Sequence, residues 1–120
     1  MQFYETMRSN ENDTEFFRDM SILNDAMRKT AMAVYFSPSN AVNRLPKKKF
    51  FALLEAIKKY DDFTPDNDPL GGHTHGKIKL FGKTFVWIFE YVYPKNEPME
   101  FGDPRVVRRI AVMLAEEFAN

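Results

Sequence analysis

Residues 77–93 read KIKLFGKTFVWIFEYVY, and this stretch predicts a β-hairpin. Lysine and apolar residues alternate from Lys77 to Leu80, and a long apolar run follows from Thr84 to Tyr93. Alternation with a period of two is typical of strands that bury one face. Gly82-Lys83 lies between the two runs and fits a two-residue turn with glycine first, the type II′ pattern.

This turn dictates a register in which Leu80 faces Phe85 and Ile78 faces Trp87. One face of the hairpin then carries the side chains of Ile78, Leu80, Phe85, Trp87, Phe89 and Tyr91. The opposite face carries Lys77, Lys79, Val86, Ile88 and Glu90. A slip of one residue would exchange the two faces, because side chains alternate across a strand.

Three segments outside the hairpin have helical periodicity. The first begins near Asn12 and runs to about Lys29. The second has Pro46 at its first position, and the third begins at Asp103-Pro104, with the aspartate as N-cap. Their apolar stripes are, in chain order, Phe16, Met20, Leu23 and Met27; Phe50, Leu53, Leu54 and Ile57; and Val107, Ile110, Leu114 and Phe118.

A further short apolar segment, Ala31 to Phe36, ends at the turn-forming sequence Ser37-Pro38-Ser39-Asn40 and predicts a strand. The predicted order is α-β-α-β-β-α. We therefore expect an α+β fold, a small antiparallel sheet of about three strands packed on one face by about three helices. We expect residues 1–11 to form a flexible lead-in and residues 12–120 to form a single domain.

Composition excludes several classes of protein. The 120 residues include 17 basic and 17 acidic side chains, a balance that argues against a non-specific nucleic-acid binder and against a nucleic-acid mimic. The absence of cysteine excludes disulfides, thiolate metal sites and thiol nucleophiles. No secretory signal is recognisable, and no apolar run approaches the roughly 18 residues of a membrane span. We therefore expect a cytoplasmic protein without a membrane partner.

The connection from Asp61 to Gly76, DDFTPDNDPLGGHTHG, is the first candidate for a functional segment. Long loops in compact domains are uncommon and often functional. The candidate binding residues in it are Asp62, Asp66, Asn67, Asp68, His73 and His75. A metal site would use Asp66, Asp68, His73 and His75, because carboxylates and imidazoles bind divalent metals. Asp and Asn also shape turns by bonding their own backbone, so a structural role or a recognition surface is the competing interpretation.

Standard catalytic and metal-binding motifs are absent from the chain. A calcium loop that began at Asp66 would have Leu70 and Lys77 at its fifth and twelfth positions, which supply no suitable ligand. There is no His-Glu-x-x-His, no phosphate-binding glycine loop and no Gly-x-Ser-x-Gly. We therefore favour a non-enzymatic protein and expect no cofactor. If the first hairpin strand extends past Lys77, His75 lies across from Glu90, more simply as a cross-strand pair than as a catalytic dyad. Glu90 is therefore a further candidate for the binding surface.

The second predicted helix carries lysines on its exposed side, namely Lys47, Lys48, Lys49, Lys58 and Lys59. Such a cluster can contact phosphates or an acidic partner. A solvated helix face is the simpler interpretation, because no aromatic residues are obviously interleaved for base stacking. Nucleic-acid binding through this helix is therefore an alternative hypothesis.

The segment Asp62-Phe63-Thr64-Pro65-Asp66-Asn67-Asp68-Pro69, followed by Gly71, His73 and Gly76, resembles the hallmark of a bacterial family, domain of unknown function number thirty-seven sixty-eight. The strand of Trp87, Ile22-Leu23-Asn24-Asp25 with Arg28, and Val112 to Glu117 are similar to that family as well, so the resemblance covers about residues 21–118. The family usually has Gly-Glu-His-Asp-Phe-Gly where this chain has Gly71-Gly72-His73-Thr74-His75-Gly76. This departure weakens a shared metal or catalytic role.

The resemblance implies no established activity. Members of the family look like accessory proteins of plasmids, phages and other mobile elements, which implies a role in regulation or in countering host defences. We therefore expect a non-enzymatic protein-interaction module, such as an anti-CRISPR-like inhibitor, whose partner is a host protein or protein complex. The alternatives are a small metal-dependent enzyme that uses the loop and a nucleic-acid-binding protein that uses the basic helix. The sequence leaves the oligomeric state open.

Overall fold

A computed structural model of the protein describes residues 11–92 and 107–118. The helices are α1 (Glu11–Thr30), α2 (Asn40–Asn43), α3 (Lys47–Lys58) and α4 (Ala115–Phe118), with a 3-10 helix at Ala33–Tyr35. The strands are β1 (Phe36–Pro38), β2 (His75–Leu80), β3 (Lys83–Val92) and β4 (Val107–Leu114). They form one sheet of order β1-β4-β3-β2, in which β1 is parallel to β4 and the other pairs are antiparallel.

The α+β class is confirmed, whereas the three-stranded antiparallel sheet and the order α-β-α-β-β-α are wrong in detail. Most of the predicted lead-in (residues 1–10) and the predicted helix start at Asp103-Pro104 lie outside the described residues. Both of these therefore stay predictions. Within the described ranges, no helix is long and apolar enough to cross a bilayer.

Strands β2 and β3 form the predicted hairpin, but its turn and register differ from the prediction. The turn is Phe81-Gly82, and both residues have positive φ, 56° and 72°, which is the type I′ pattern rather than type II′. Ile78 consequently pairs with Phe85 instead of Trp87, a shift of two residues. A shift of two keeps every side chain on its predicted face.

The largest correction concerns β4, which lies within the third predicted helix. Ile110 and Val112 are completely buried and pair with Phe89 and Trp87 of β3, so this segment is a strand with both residues on the core face. Its β-branched residues favour a strand, and β3 offers a partner along the whole of β4. Val107, expected in the buried helical stripe, is 44% exposed. Only α4 at the end of the segment is helical.

Strand β1 is shorter and begins later than predicted. Ala33–Tyr35 is a 3-10 helix, and only Phe36–Pro38 pairs with β4. A proline is tolerated at this position because β1 is an edge strand. Ser39 then ends the extended segment, since its hydroxyl accepts a hydrogen bond from the Val42 amide and caps α2.

The main core lies between the helices and one face of the sheet. Leu53, Leu54 and Ile57 of α3 and Val42 of α2 pack against the inward side chains of β3 and β4. Burial of these apolar side chains is the dominant stabilising contribution. The loop that follows α3 therefore starts at the edge of this core and returns to the sheet at β2.

Candidate functional site

The buried face of α1 is only partly apolar. Phe17 and Met20 are buried as an amphipathic helix predicts, but Asn24 and Arg28 continue the same face and are 0% and 1% exposed. Leu23, expected in the apolar stripe, is 41% exposed. Buried polar groups must be hydrogen-bonded, so this half of α1 requires specific partners.

Arg28 finds its partners at the end of α3. Its Nε donates to the Ile57 carbonyl at 3.0 Å, and its Nη2 donates to the Tyr60 carbonyl at 2.7 Å. These carbonyls lie at the negative end of the helix dipole, which favours a cation there. The guanidinium also lies 5.4 Å from the ring centroid of Phe63 and 5.2 Å from that of Trp87. Arg28 therefore joins α1, α3 and the aromatic part of the core.

Asp25 links Arg28 to the loop. One carboxylate oxygen accepts from Arg28 Nη1 at 2.9 Å, and both oxygens lie 3.0 Å from Nδ1 of His73. The His73 ring stacks on Phe63, with centroids 3.8 Å apart and an interplanar angle of 6°. His73 is thus held by an ion-pairing group on its edge and by an aromatic ring on its face.

The backbone of the loop is braced by its own side chains. Asn67 Oδ1 accepts from the Thr64 amide at 2.9 Å, and Asn67 Nδ2 donates to the Asp62 carbonyl at 2.8 Å. Asp68, whose side chain is 6% exposed, accepts from the His73 amide at 3.1 Å. This hydrogen bond holds the backbone of His73 in the left-handed conformation, with a φ of 54°. The turn-forming role of Asn67 and Asp68 agrees with their usual chemistry.

The last residues of the loop are tied to α1 and β3. Asn24 Nδ2 donates to the Gly72 carbonyl at 3.0 Å, and Asn24 Oδ1 accepts from the Tyr91 hydroxyl at 3.1 Å. The Phe89 amide donates to the Thr74 carbonyl at 2.8 Å. The loop therefore has a fixed conformation along most of its length.

An open cleft of about 470 Å³ lies between this part of the loop, α1 and β3. Its walls are mainly apolar, and they are formed by Phe17, Met20, Pro69, Leu70 and Tyr91 with Asp68 and His75 as polar neighbours. The Leu70 side chain is 47% exposed at the edge of the cleft. The cleft has the size and composition of a site that takes an apolar group.

The structure brings only some of the predicted loop residues together. His73 lies between two carboxylates, with Nδ1 3.0 Å from Asp25 and Nε2 3.8 Å from Asp68 Oδ2. Asp62 and Asp66 are exposed and take no part in this cluster. In the described part of the chain, no group of three or more acidic or histidine side chains is arranged to hold a metal ion. The proposed set of Asp66, Asp68, His73 and His75 does not converge.

The predicted pairing of His75 with Glu90 is wrong. His75 pairs with Ile88 across the hairpin, and Glu90 pairs with Arg109 of β4, because the turn shifts the register by two residues. His75 instead has Nε2 3.0 Å from the Asn67 carbonyl oxygen. It therefore belongs to the bracing of the loop.

The predicted lysine cluster divides into two groups. Lys47, Lys48 and Lys49 are exposed at the start of α3. Lys58 and Lys59 lie at the other end, roughly 18 Å away at the rise of an α-helix. Lys58 is paired with Glu55 at 3.3 Å. Only the first group is a concentrated positive surface.

Sequence reasoning missed Asp25, Asn24, Arg28 and Tyr91 as site residues. Asn24 and Arg28 follow Met20 at intervals of four residues, so they lie on the predicted buried face of the helix. Polar residues on a buried face were the available signal that this helix makes specific hydrogen bonds. Their partners lie far along the chain, 48 residues away for the Asn24–Gly72 bond. No local pattern identifies such partners.

Burial raises the pKa of the Tyr60 hydroxyl above its ordinary value of 10.0, and the nearby Asp62 carboxylate adds to the increase. The folded protein therefore binds this proton more tightly than the unfolded chain does. This contribution to stability is complete below about pH 10 and is lost as the pH rises through the higher folded value.

We expect the substitution Tyr60→Phe to reduce the loss of stability above pH 10, as measured by chemical denaturation on both sides of that pH. An alkaline loss of stability in Tyr60→Phe as large as that of the wild type would contradict this role of Tyr60.

Fold and site together define a small α+β domain with an internally braced loop beside an apolar cleft. The model of the family described as "Protein of unknown function (DUF3768)" matches residues 39–117, and the chain belongs to this family. This match confirms the resemblance carried by the Asp-Asn-Asp-Pro loop. The matched range begins after α1, so Asn24, Asp25 and Arg28 lie outside it. Searches of curated proteins and of solved structures gave no match to the chain.

Proposed function

We propose that this protein is a non-enzymatic protein-interaction module. Its contact surface is the loop surface, which we define as Pro65, Asp66, Pro69 and Leu70 with the adjoining cleft. The observation that carries the proposal is that the polar loop residues form hydrogen bonds within the protein. Asn67 and Asp68 hold the loop backbone, and the His73 ring is held in place by Asp25 and Phe63. The loop therefore presents a shaped surface rather than a set of converging catalytic groups.

A braced loop is favourable for recognition. Little conformational entropy is lost on binding when the contact residues are already ordered. The cleft beside Leu70 can accept an apolar side chain of a partner, while Asp66 and the other exposed polar residues form a rim. Protein interfaces commonly have such an apolar centre within a polar border.

We further propose that the partner is a host protein or protein complex, and that this protein is an inhibitor encoded by a mobile element. The support for this proposal is the family resemblance alone.

The experiment is affinity capture from a native host lysate with the wild type and two matched variants. Leu70→Asp places a charge at the edge of the cleft, and we expect it to reduce partner recovery at least ten-fold, because a charge that binding would bury without a partner is costly. Val34→Asp is the control, because Val34 is 76% exposed and precedes β1, at the opposite edge of the sheet from β2. The proposal fails if no protein is enriched reproducibly, or if both variants recover the partner as well as the wild type does.

A further inference from the structure

The hairpin turn and the start of α3 form a second exposed surface. Lys49 Nζ lies 5.3 Å from the ring centroid of Phe81, which is in the turn. Lys83 follows the turn and has the same strand orientation as Phe85, whose side chain faces the helices. This surface is separate from the loop surface, because six residues of β2, roughly 17 Å, lie between the two ends of the hairpin.

The surface has a concentrated positive charge. Lys47, Lys48, Lys49 and Lys83 are all exposed. In the ranges 11–92 and 107–118, none of them forms an ion pair of the kind that joins Lys58 to Glu55. Residues 41–54 contain no acidic residue at all. A chain of zero net charge therefore carries a local excess that favours an anionic partner.

This positive charge destabilises the helix that carries it. The three consecutive lysines occupy the first turn of α3, which contains no acidic residue. The N-terminal end of a helix is the positive end of its dipole, so cations there oppose helix formation. The lysines therefore do not contribute to the stability of the fold through this interaction, which makes a binding role the better explanation.

Exposed aromatic rings lie among these lysines. Phe81 is 38% exposed and Phe51 is 46% exposed. Phe51 is four residues after Lys47 and three after Lys48, so the three side chains are neighbours on the helix surface. This arrangement corrects the expectation that no aromatic residue is interleaved with the basic helix.

Phe81 is also an unfavourable choice for its turn. Its φ of 56° is left-handed, where asparagine or glycine is the usual residue of a type I′ turn. An aromatic residue in this region is uncommon and strained, and such strain is concentrated at functional positions. The formation of the turn therefore does not explain the aromatic side chain at position 81.

We propose that Lys47, Lys48, Lys49, Phe81 and Lys83 form a binding surface for single-stranded nucleic acid, the basic–aromatic surface. Phe51 lies beside Lys47 and Lys48, on the other side of α3 from Lys49, and adds an exposed ring there. Ammonium groups on flexible stems neutralise phosphates, and exposed rings stack on unpaired bases without regard to sequence. An acidic peptide would use the lysines but would gain nothing from the rings. The combination of both features favours nucleic acid, and the activity would be additional to protein binding at the loop surface.

The test is a fluorescence anisotropy titration of the full chain with a dye-labelled short oligothymidine at several salt concentrations. We expect the affinity to fall as salt rises. The triple variant Lys47→Gln, Lys48→Gln, Lys49→Gln should reduce the slope of log affinity against log salt by about 2, at about 0.7 per phosphate contact for a single strand. Lys59→Gln, at the far end of α3, is the matched control and should leave the affinity unchanged.

The decisive variant is Phe81→Asn. Asparagine suits the turn, so the melting temperature should be equal to or higher than that of the wild type, while the affinity for oligothymidine falls about ten-fold. The proposal is overturned if wild-type binding is absent or insensitive to salt. It is also overturned if Phe81→Asn binds as tightly as the wild type and a polyglutamate peptide competes as well as unlabelled oligothymidine. Leu70→Asp should bind oligothymidine normally, so failure here is distinguishable from failure of the protein-binding proposal.

Discussion

The substitution Arg28→Met is expected to lower the free energy of unfolding by about 3 kcal/mol. Methionine fills much of the same volume but donates no hydrogen bond. The Ile57 and Tyr60 carbonyls would lose their charged donor, and Asp25 would lose its ion pair in a partly buried position. Small domains are stable by only about 5–15 kcal/mol, so a loss of this size is easily measured by urea denaturation.

Two further variants separate the geometry of Arg28 from its charge. Arg28→Lys keeps the positive charge but lacks the planar fork that reaches two carbonyls and Asp25, so it should recover only part of the loss. Arg18→Met removes an arginine whose side chain is 65% exposed and should change stability by less than about 0.5 kcal/mol. If Arg28→Met were as stable as Arg18→Met, the proposed role of Arg28 in joining α1 to α3 would be incorrect.

The second large effect is expected for Gly76→Ala, at about 2–3 kcal/mol of destabilisation. A Cβ at this position would lie 2.7 Å from both Trp87 Nε1 and Tyr60 Cζ. Trp87 is 1% exposed and cannot move away, so Tyr60 must shift. Tyr60 contacts Phe63 edge to face, with centroids 5.0 Å apart, and Phe63 supports the His73 ring. The disturbance should therefore reach the loop, and Trp87, the single tryptophan of the chain, is a fluorescent reporter of it.

Gly71→Ala is the matched control for this substitution. No atom lies within 4 Å of a Cβ at Gly71, but its φ of 75° is left-handed. It should cost about 1 kcal/mol through backbone strain alone and leave the Trp87 emission unchanged. Equal losses for the two alanine variants in thermal denaturation would show that the close approach at Gly76 is not the cause.

How far the sequence predicts the fold depends on the element. The faces of the hairpin were predicted correctly, because the actual register differs from the predicted one by two residues and leaves Ile78, Phe85 and Trp87 on one face. The strand β4 was not predictable. Ile110 and Leu114 have helical spacing, and with Val112 they also have strand spacing. Pairing with β3, which is a tertiary interaction, decides between the two.

The candidate site shows the same division between local and distant causes. The bracing of the loop by Asn67 and Asp68 follows from the local chemistry of these residue types. The contact between His73 and Asp25 does not follow from local chemistry, because the two residues are 48 positions apart in the chain. The sequence therefore located the loop but not the helix that fixes its shape.

The position of β4 in the sheet has a consequence for how the chain folds. β4 comes last among the described strands, yet it lies between β1 and β3 and pairs with both. Phe36 and Ile110, which meet in the parallel pair, are roughly 70 residues apart in the chain, so this contact carries a large loop-closure cost and slows folding. Until β4 inserts, β1 has no strand partner and the inner edge of β3 is unpaired. An open apolar strand edge readily pairs with another molecule. If this chain aggregates during folding, we expect it to do so before β4 has paired with β3.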